Sequence, residues 1–336
     1  LALQLAFALW RRGGAGEGAV APGPAAPLRR AAWGAGIWLS LVAIAVGVVW
    51  LAYGGSFAVG EQPSGPLSGV RLPAYLRSLA FVESVNASGR PVFFLGEFST
   101  RGWWSFYPVA FAVKEPVGLL VLLVAALASL RARRGRLGAF LAPAFAVYLW
   151  ILIAHVNVPL GYRYALPLLP LLCVLIATQL APLPTGRRGV AVVLACALLA
   201  LEGLWIHPHY LAHFNAPAGG PAGGSRLLLD ANLDWGQDVT TLARELAERG
   251  NPPVWLALFA AEDPAAYGVR GRPLRGCRPV AGLLAISANV RAGLYAANDP
   301  FASPRPGCYD WLDRFEPVAR PGFSILLYDL HRSSGR

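Results

Sequence analysis

Asp230, Asn232, Asp234 and Asp238 share an even spacing in the segment Leu229-Asp-Ala-Asn-Leu-Asp-Trp-Gly-Gln-Asp238. Oxygen-bearing side chains at the first, third and fifth positions are how an EF-hand calcium loop begins. Here Trp235 stands where that loop needs glycine, and Thr241 where it needs a bidentate Glu, and both departures count against an EF-hand. A divalent cation stays open as a ligand of the acids, though no cofactor is firmly implied. The plain alternative is a strand-to-helix turn with Asp238 at the helix start, where the helix dipole favours an acid.

Three further groups have the residue types for chemistry. Lys114-Glu115-Pro116 interrupts an apolar run. A charge at membrane depth costs roughly 2.5–3.5 kcal/mol on insertion scales and usually marks function. The two readings are a Lys–Glu pair snorkelling at an interface and a cation that holds an anionic lipid headgroup. In Gly161-Tyr-Arg-Tyr-Ala-Leu-Pro167, Arg163 sits between Tyr162 and Tyr164 with no acid nearby. A guanidinium presents a planar fork of donors that suits phosphate, and the tyrosine hydroxyls can add to it. That reading is preferred over a plain aromatic belt because Lys114 is expected at the same membrane face. His207, His209 and His213 are metal-ligand types. No cysteine lies near them and Glu202 falls inside the preceding apolar run, so capping and packing are preferred over a zinc site. No Walker loop, nucleophile elbow or dinucleotide fingerprint is present. Gly219–Gly224 is glycine-rich but lacks the Lys-Ser/Thr of a phosphate loop and reads as a linker.

These groups need elements to hold them. The chain has 336 residues, of which 56% are apolar and 14% charged. A soluble domain carries roughly 25% charged residues, so about half the length is expected in lipid. The net charge of +11 does not point to nucleic acid, because the arginines cluster beside apolar runs. A bilayer crossing needs roughly 17–25 residues, and five runs meet it, at about 33–53, 106–130, 138–155, 160–181 and 189–206. Leu1–Trp10 reads as the tail of a truncated helix. The segments 11–32, 131–136 and 182–188 are Arg-rich and are expected in the cytoplasm; the loop 54–105 and everything after Ile206 are expected outside. The predicted fold is a polytopic α-helical membrane bundle over 1–206, followed by an extracytoplasmic α/β domain over 207–336.

Within the loop 54–105, Leu72–Val85 reads as an amphipathic surface helix and Pro91–Leu95 as a short strand or buried turn. In the C-terminal domain, strands are expected at 226–230, 254–260, 282–287 and 323–328. A helix is expected at 238–249, with Val239, Leu242 and Leu246 on one face, and a short one near 309–315. Cys277 and Cys308 share the external domain, where a disulfide is an even question.

Several stretches, in their order, resemble the C-terminal half of bacterial GT-C glycosyltransferases, relatives of the dolichyl-phosphate-mannose protein mannosyltransferases (glycosyltransferase family 39). They are FFLGEFSTRGWW (93–104), Lys114-Glu-Pro116, GYRYALPLLP (161–170), HPHYLAHFNAPAGGP (207–221), LDANLDWGQD (229–238), LLAISANV (283–290) and GFSILLYDL (322–330). The resemblance implies an inverting, multi-pass enzyme of the bacterial cytoplasmic membrane. Such an enzyme takes a sugar from a polyprenyl-phosphate donor and passes it to a glycan, lipid or protein acceptor at the outer face. By that analogy Lys114 and Arg163, with Tyr162 and Tyr164, would face the departing lipid phosphate. Asp230, Asn232, Asp234, Trp235 and Asp238 would form a substrate or ion loop. The family's general base lies in a part of the sequence upstream of Leu1, so the expectation is a C-terminal fragment, inactive alone. The alternative from another class is a non-catalytic membrane protein that binds carrier lipid or envelope glycan. A transporter would show internal repeats, and none is visible.

Overall fold

Pro116 decides the shape of the helical part. It has no amide hydrogen, so within a helix it removes one hydrogen bond and its ring kinks or breaks the run. In the computed structural model, which describes residues 26–52, 59–61, 71–130, 136–155, 161–181, 185–259, 263–295 and 305–331, the run 106–130 is two helices. With α1 (Ala26–Ala52) and α2 (Ala74–Ser88) preceding them, these are α3 (Phe106–Lys114) and α4 (Val117–Leu130). Glu115 leaves α3 with extended backbone, and the two axes meet at 115°. After α5 (Arg136–His155), Tyr162–Ala165 form a 3-10 turn and α6 runs only Leu168–Leu180. Its 13 residues rise about 20 Å, short of the roughly 30 Å hydrocarbon core. Only α7 (Gly186–Ile206) is long and apolar enough by itself to cross a membrane among the described residues; the bent pair α3–α4 counts as a second if taken as one broken span.

The polytopic bundle read from the sequence is therefore corrected to a mixed α/β chain with one candidate membrane helix. Apolar composition marked the runs correctly as helical. Proline breaks at 116 and 167 and the 3-10 turn before Pro167 divide or shorten two of them, 106–130 and 160–181. The expected helix tail 1–10, the segment 11–25 and most of the basic segment 131–136 lie outside the described residues.

The chain divides into two compact units, 1–82 and 83–336. The first contains α1 and a small antiparallel pair, β1 (Val59–Glu61) with β2 (Arg71–Pro73). Helix α2, at the division, buries none of its residues and exposes Tyr75, Leu76, Leu79 and Val82.

The second unit holds every candidate site residue. Its pair β3 (Val92–Phe94) and β4 (Glu97–Ser99) matches the expected short strand. A four-stranded sheet has the order β6-β5-β7-β8, built from β5 (Val254–Ala257), β6 (Arg272–Pro273), β7 (Leu283–Ser287) and β8 (Ile325–Asp329). β5 is parallel to β6 and β7, and β8 is antiparallel to β7. Strand side chains alternate in direction. Val254, Leu256, Ala285, Ile325 and Leu327 thus meet Val239, Leu242 and Leu246 of α8 (Val239–Glu248) on one face. Leu284, Ile286, Leu326 and Tyr328 meet Tyr309 and Leu312 on the other. Burial on both faces explains the unbroken apolar runs of β7 and β8. Cys277 and Cys308 are joined in a disulfide.

The strand expected at 226–230 does not form. Gly224–Arg226 and Asp230–Asn232 are 3-10 turns, and Leu228 makes a single bridge to Phe94. Asp230 takes φ +58°, which ends any extended run. The apolar Leu228, Leu229 and Leu233 instead enter a core with Phe94, Phe106, Tyr107, Leu168 and Phe214. That core binds the helices to the turns that carry the acids.

Candidate functional site

A buried polar knot forms first. Lys114 ends α3 with only 9% of its surface exposed. Its ammonium donates to the carbonyls of Leu211 (2.7 Å) and Asn232 (2.8 Å) and lies 4.2 Å over the Phe214 ring. The Tyr162 hydroxyl donates to Glu115. The Tyr162 amide donates to Asn232 Oδ1 at 2.7 Å, and Asn232 Nδ2 donates to Leu229 O at 2.8 Å. Asn215 Nδ2 donates to the Ala112 and Glu115 carbonyls at 2.7 and 2.9 Å. Helix C-termini leave carbonyls unpaired, and the Asn215 amide satisfies them here. Gly161 makes the approach feasible: at φ +136°, a Cβ there would stand 2.8 Å from the Ala231 Cβ.

Four sequence motifs thus converge, but Lys114 and Tyr162 do not face a ligand. Their groups are spent inside the fold, in contrast to the phosphate contact expected of them. Their consequence lies one residue on. With Tyr162 anchored at both ends, Arg163 and Tyr164 are turned to the surface. The Arg163 guanidinium sits 5.3 Å from the Tyr164 ring centroid and 5.6 Å from that of Trp235, which is 52% exposed. This is an open cation framed by two aromatic faces, drawn from the two motifs.

The acids of the loop are held separately. Asp230 accepts from the Tyr295 hydroxyl and feels Arg90 and Arg163, while burial pushes its carboxyl above the usual range. Asp234 is fully buried. Its Oδ1 accepts from the Gly236 amide at 2.8 Å, whereas Oδ2 is buried without a hydrogen bond, although the Ser287 hydroxyl approaches the carboxyl. Burial pushes Asp234 up to about 7. Asp238 accepts from Ser324 Oγ (2.7 Å) and Gln237 Nε2 (2.8 Å) and pairs with His209 Nδ1 (3.2 Å). Burial pushes its carboxyl up, and those three partners oppose the shift. It also occupies the N-cap position of α8. The side chains do not converge on a common point, and no group of three His, Cys, Asp or Glu among the described residues could hold a metal ion.

The histidines separate in the same way. His207 Nδ1 is 3.0 Å from the Tyr210 hydroxyl. His213 has both ring nitrogens buried without partners, and burial, then Lys114, hold its imidazole below the usual range. His209 is half-buried between two clefts of about 400 and 310 Å³.

The reading of the residues missed Asn289, Asn215, Ser324 and Tyr295. Asn289 is fully buried; its Oδ1 accepts from the Asp230 amide at 2.7 Å and its Nδ2 donates to Asp234 O at 3.3 Å, clamping the loop. The available signal was an asparagine directly after an apolar strand, in Ser287-Ala-Asn289. No protein-family model matches the chain, nor does any curated protein or any solved structure.

Proposed function

We propose that the chain acts in sugar transfer from a polyprenyl-phosphate-linked donor to an envelope glycan, lipid or protein, at the outer face of a bacterial cytoplasmic membrane. The observation that carries this reading is the exposed Arg163 between Tyr164 and Trp235. A guanidinium binds phosphate through a planar fork, and aromatic faces take the apolar face of a sugar or an isoprenoid. In such a transfer the bond from the anomeric carbon to the phosphate oxygen breaks, and its electron pair stays on the phosphate. A fixed cation stabilises the charge that develops there. Lys114 serves by positioning the turn that presents Arg163.

Two observations support the location. α7 is a candidate membrane anchor. The Cys277–Cys308 disulfide suits an oxidising compartment, since cytosolic thiols are kept reduced.

The test is turnover of a radiolabelled sugar from polyprenyl-phosphate mannose and polyprenyl-phosphate glucose by the full chain reconstituted in vesicles. Transfer that is lost in Arg163→Ala, with the fold intact, supports the reading. Donor binding without turnover is the outcome expected where the general base is lacking, and is also what a carrier-lipid binder shows; donor binding that survives Arg163→Ala contradicts the reading. Neither binding nor turnover refutes both.

A further inference from the structure

His209 and Asp238 form a pair that the platform around Arg163 does not use. Asp238 is sealed on one side by the turn Arg320–Phe323: a Cβ on Gly322, at φ +59°, would overlap the Asp238 carboxyl. Ser324 and Gln237 fix the carboxylate, and it receives His209 Nδ1. With Nδ1 carrying the hydrogen toward the carboxylate, the lone pair of the neutral ring is on Nε2. Nε2 has no hydrogen-bond partner among the described residues, and the imidazole lines both clefts.

The larger cleft has the mixed chemistry that binds sugars. Trp205, which is exposed, and Phe323 offer apolar faces; Thr241 and Arg320 offer polar groups, beside Glu245, whose Oε1 already accepts from Arg249. Its volume of about 400 Å³ falls in the usual range for small-molecule sites, roughly 300–1,000 Å³. It adjoins the end of α7, through Trp205 and Ile206.

We infer that this cleft is a saccharide subsite in which His209, oriented by Asp238, accepts a hydrogen bond from a sugar hydroxyl. That this sugar is the acceptor of the transfer rests on the function proposed above; the subsite itself does not.

The test uses diethyl pyrocarbonate, which acylates an accessible unprotonated imidazole nitrogen, on the full chain in non-sugar detergent, read by peptide mass spectrometry. Maltose in excess is the probe. Modification of His209 is expected to fall several-fold with maltose, while that of the exposed His331 is unchanged. In Asp238→Asn an amide nitrogen replaces one carboxylate oxygen and meets either the Ser324 and Gln237 donors or the His209 Nδ1 hydrogen, and the maltose protection should be lost. No protection in the wild-type chain overturns the subsite. Protection retained in Asp238→Asn overturns the role of the pair. The wild-type arm needs no substitution, so a variant that fails to fold does not shield the proposal. A parallel arm measures quenching of Trp235 fluorescence by undecaprenyl phosphate. Protection without quenching leaves the subsite standing and removes the donor reading; quenching without protection does the reverse.

Discussion

The knot around Lys114 and the face around Arg163 lie one residue apart at Tyr162, and they treat charge in opposite ways. At the knot, an ammonium and a carboxyl are buried, and their hydrogen bonds run to carbonyls and a hydroxyl of the protein itself. At the face, a guanidinium lies beside two aromatic rings, within electrostatic reach of Asp230, and is open to solvent. A charged residue in an apolar stretch is thus ambiguous. It marks either a tie between elements or a contact for a ligand, and partner geometry decides between them. The knot makes the face possible, because Tyr162 must be pinned for Arg163 to project.

Substitutions should separate the two regions by the size of their effect on stability. Lys114→Ala leaves the Leu211 and Asn232 carbonyls without their donor. A buried polar group left unsatisfied costs about 1–3 kcal/mol, so the two together should cost about 2–6 kcal/mol in chemical denaturation. Lys114→Arg should not restore it, since a planar fork does not fit two carbonyls reached by a single ammonium. Tyr162→Phe leaves Glu115 without its hydroxyl donor. A buried group left unsatisfied costs about 1–3 kcal/mol, and the same denaturation series should place this variant between the others.

The third effect is a pH slope. Asp234 holds its proton in the folded chain up to about 7, whereas the unfolded chain releases it at ordinary carboxylate pH. Between those values the folded state binds more protons, so stability should fall as pH rises through this window. Asp230 and Asp238, both shifted upward, act in the same direction. Asp234→Asn should flatten the slope in thermal melts taken from pH 4 to pH 7. A slope of the opposite sign would mean that Asp234 is ionised in the fold and has a partner. The smallest effect belongs to the face: Arg163→Ala should change stability by no more than about 0.5 kcal/mol, as for most surface substitutions. If it cost as much as Lys114→Ala, the distinction between tie and contact would collapse.

Much of the sheet was legible because its physics is local. The apolar runs at 254–257, 283–287 and 325–329 became strands, and Val239, Leu242 and Leu246 became the inner face of α8. The strand expected at 226–230 failed because Leu228 and Leu229 are buried by contacts from distant elements rather than by a ladder. Run length also misled. Phe106–Leu130 is continuous in hydropathy, yet one proline divides it by 115°. For the site, the motifs at 161–167 and 229–238 lie side by side, since Arg163 and Trp235 meet. Which residue turns outward was not legible. Lys114 and Arg163 look alike in one dimension, and only the convergence of Asn215, Asn232 and Tyr162 distinguishes them. Asn289 escaped because its partners are 55 and 59 residues away.

The most direct measurement is Trp235 fluorescence in the reconstituted chain, titrated with undecaprenyl phosphate and, separately, with the neutral alcohol undecaprenol. Trp235→Phe supplies the background from the other tryptophans. The account requires saturable quenching by the phosphate, weak or no response to the alcohol, and loss of the phosphate response in Arg163→Ala. Equal responses to phosphate and alcohol, or a phosphate response that survives Arg163→Ala, would contradict a phosphate site at this face.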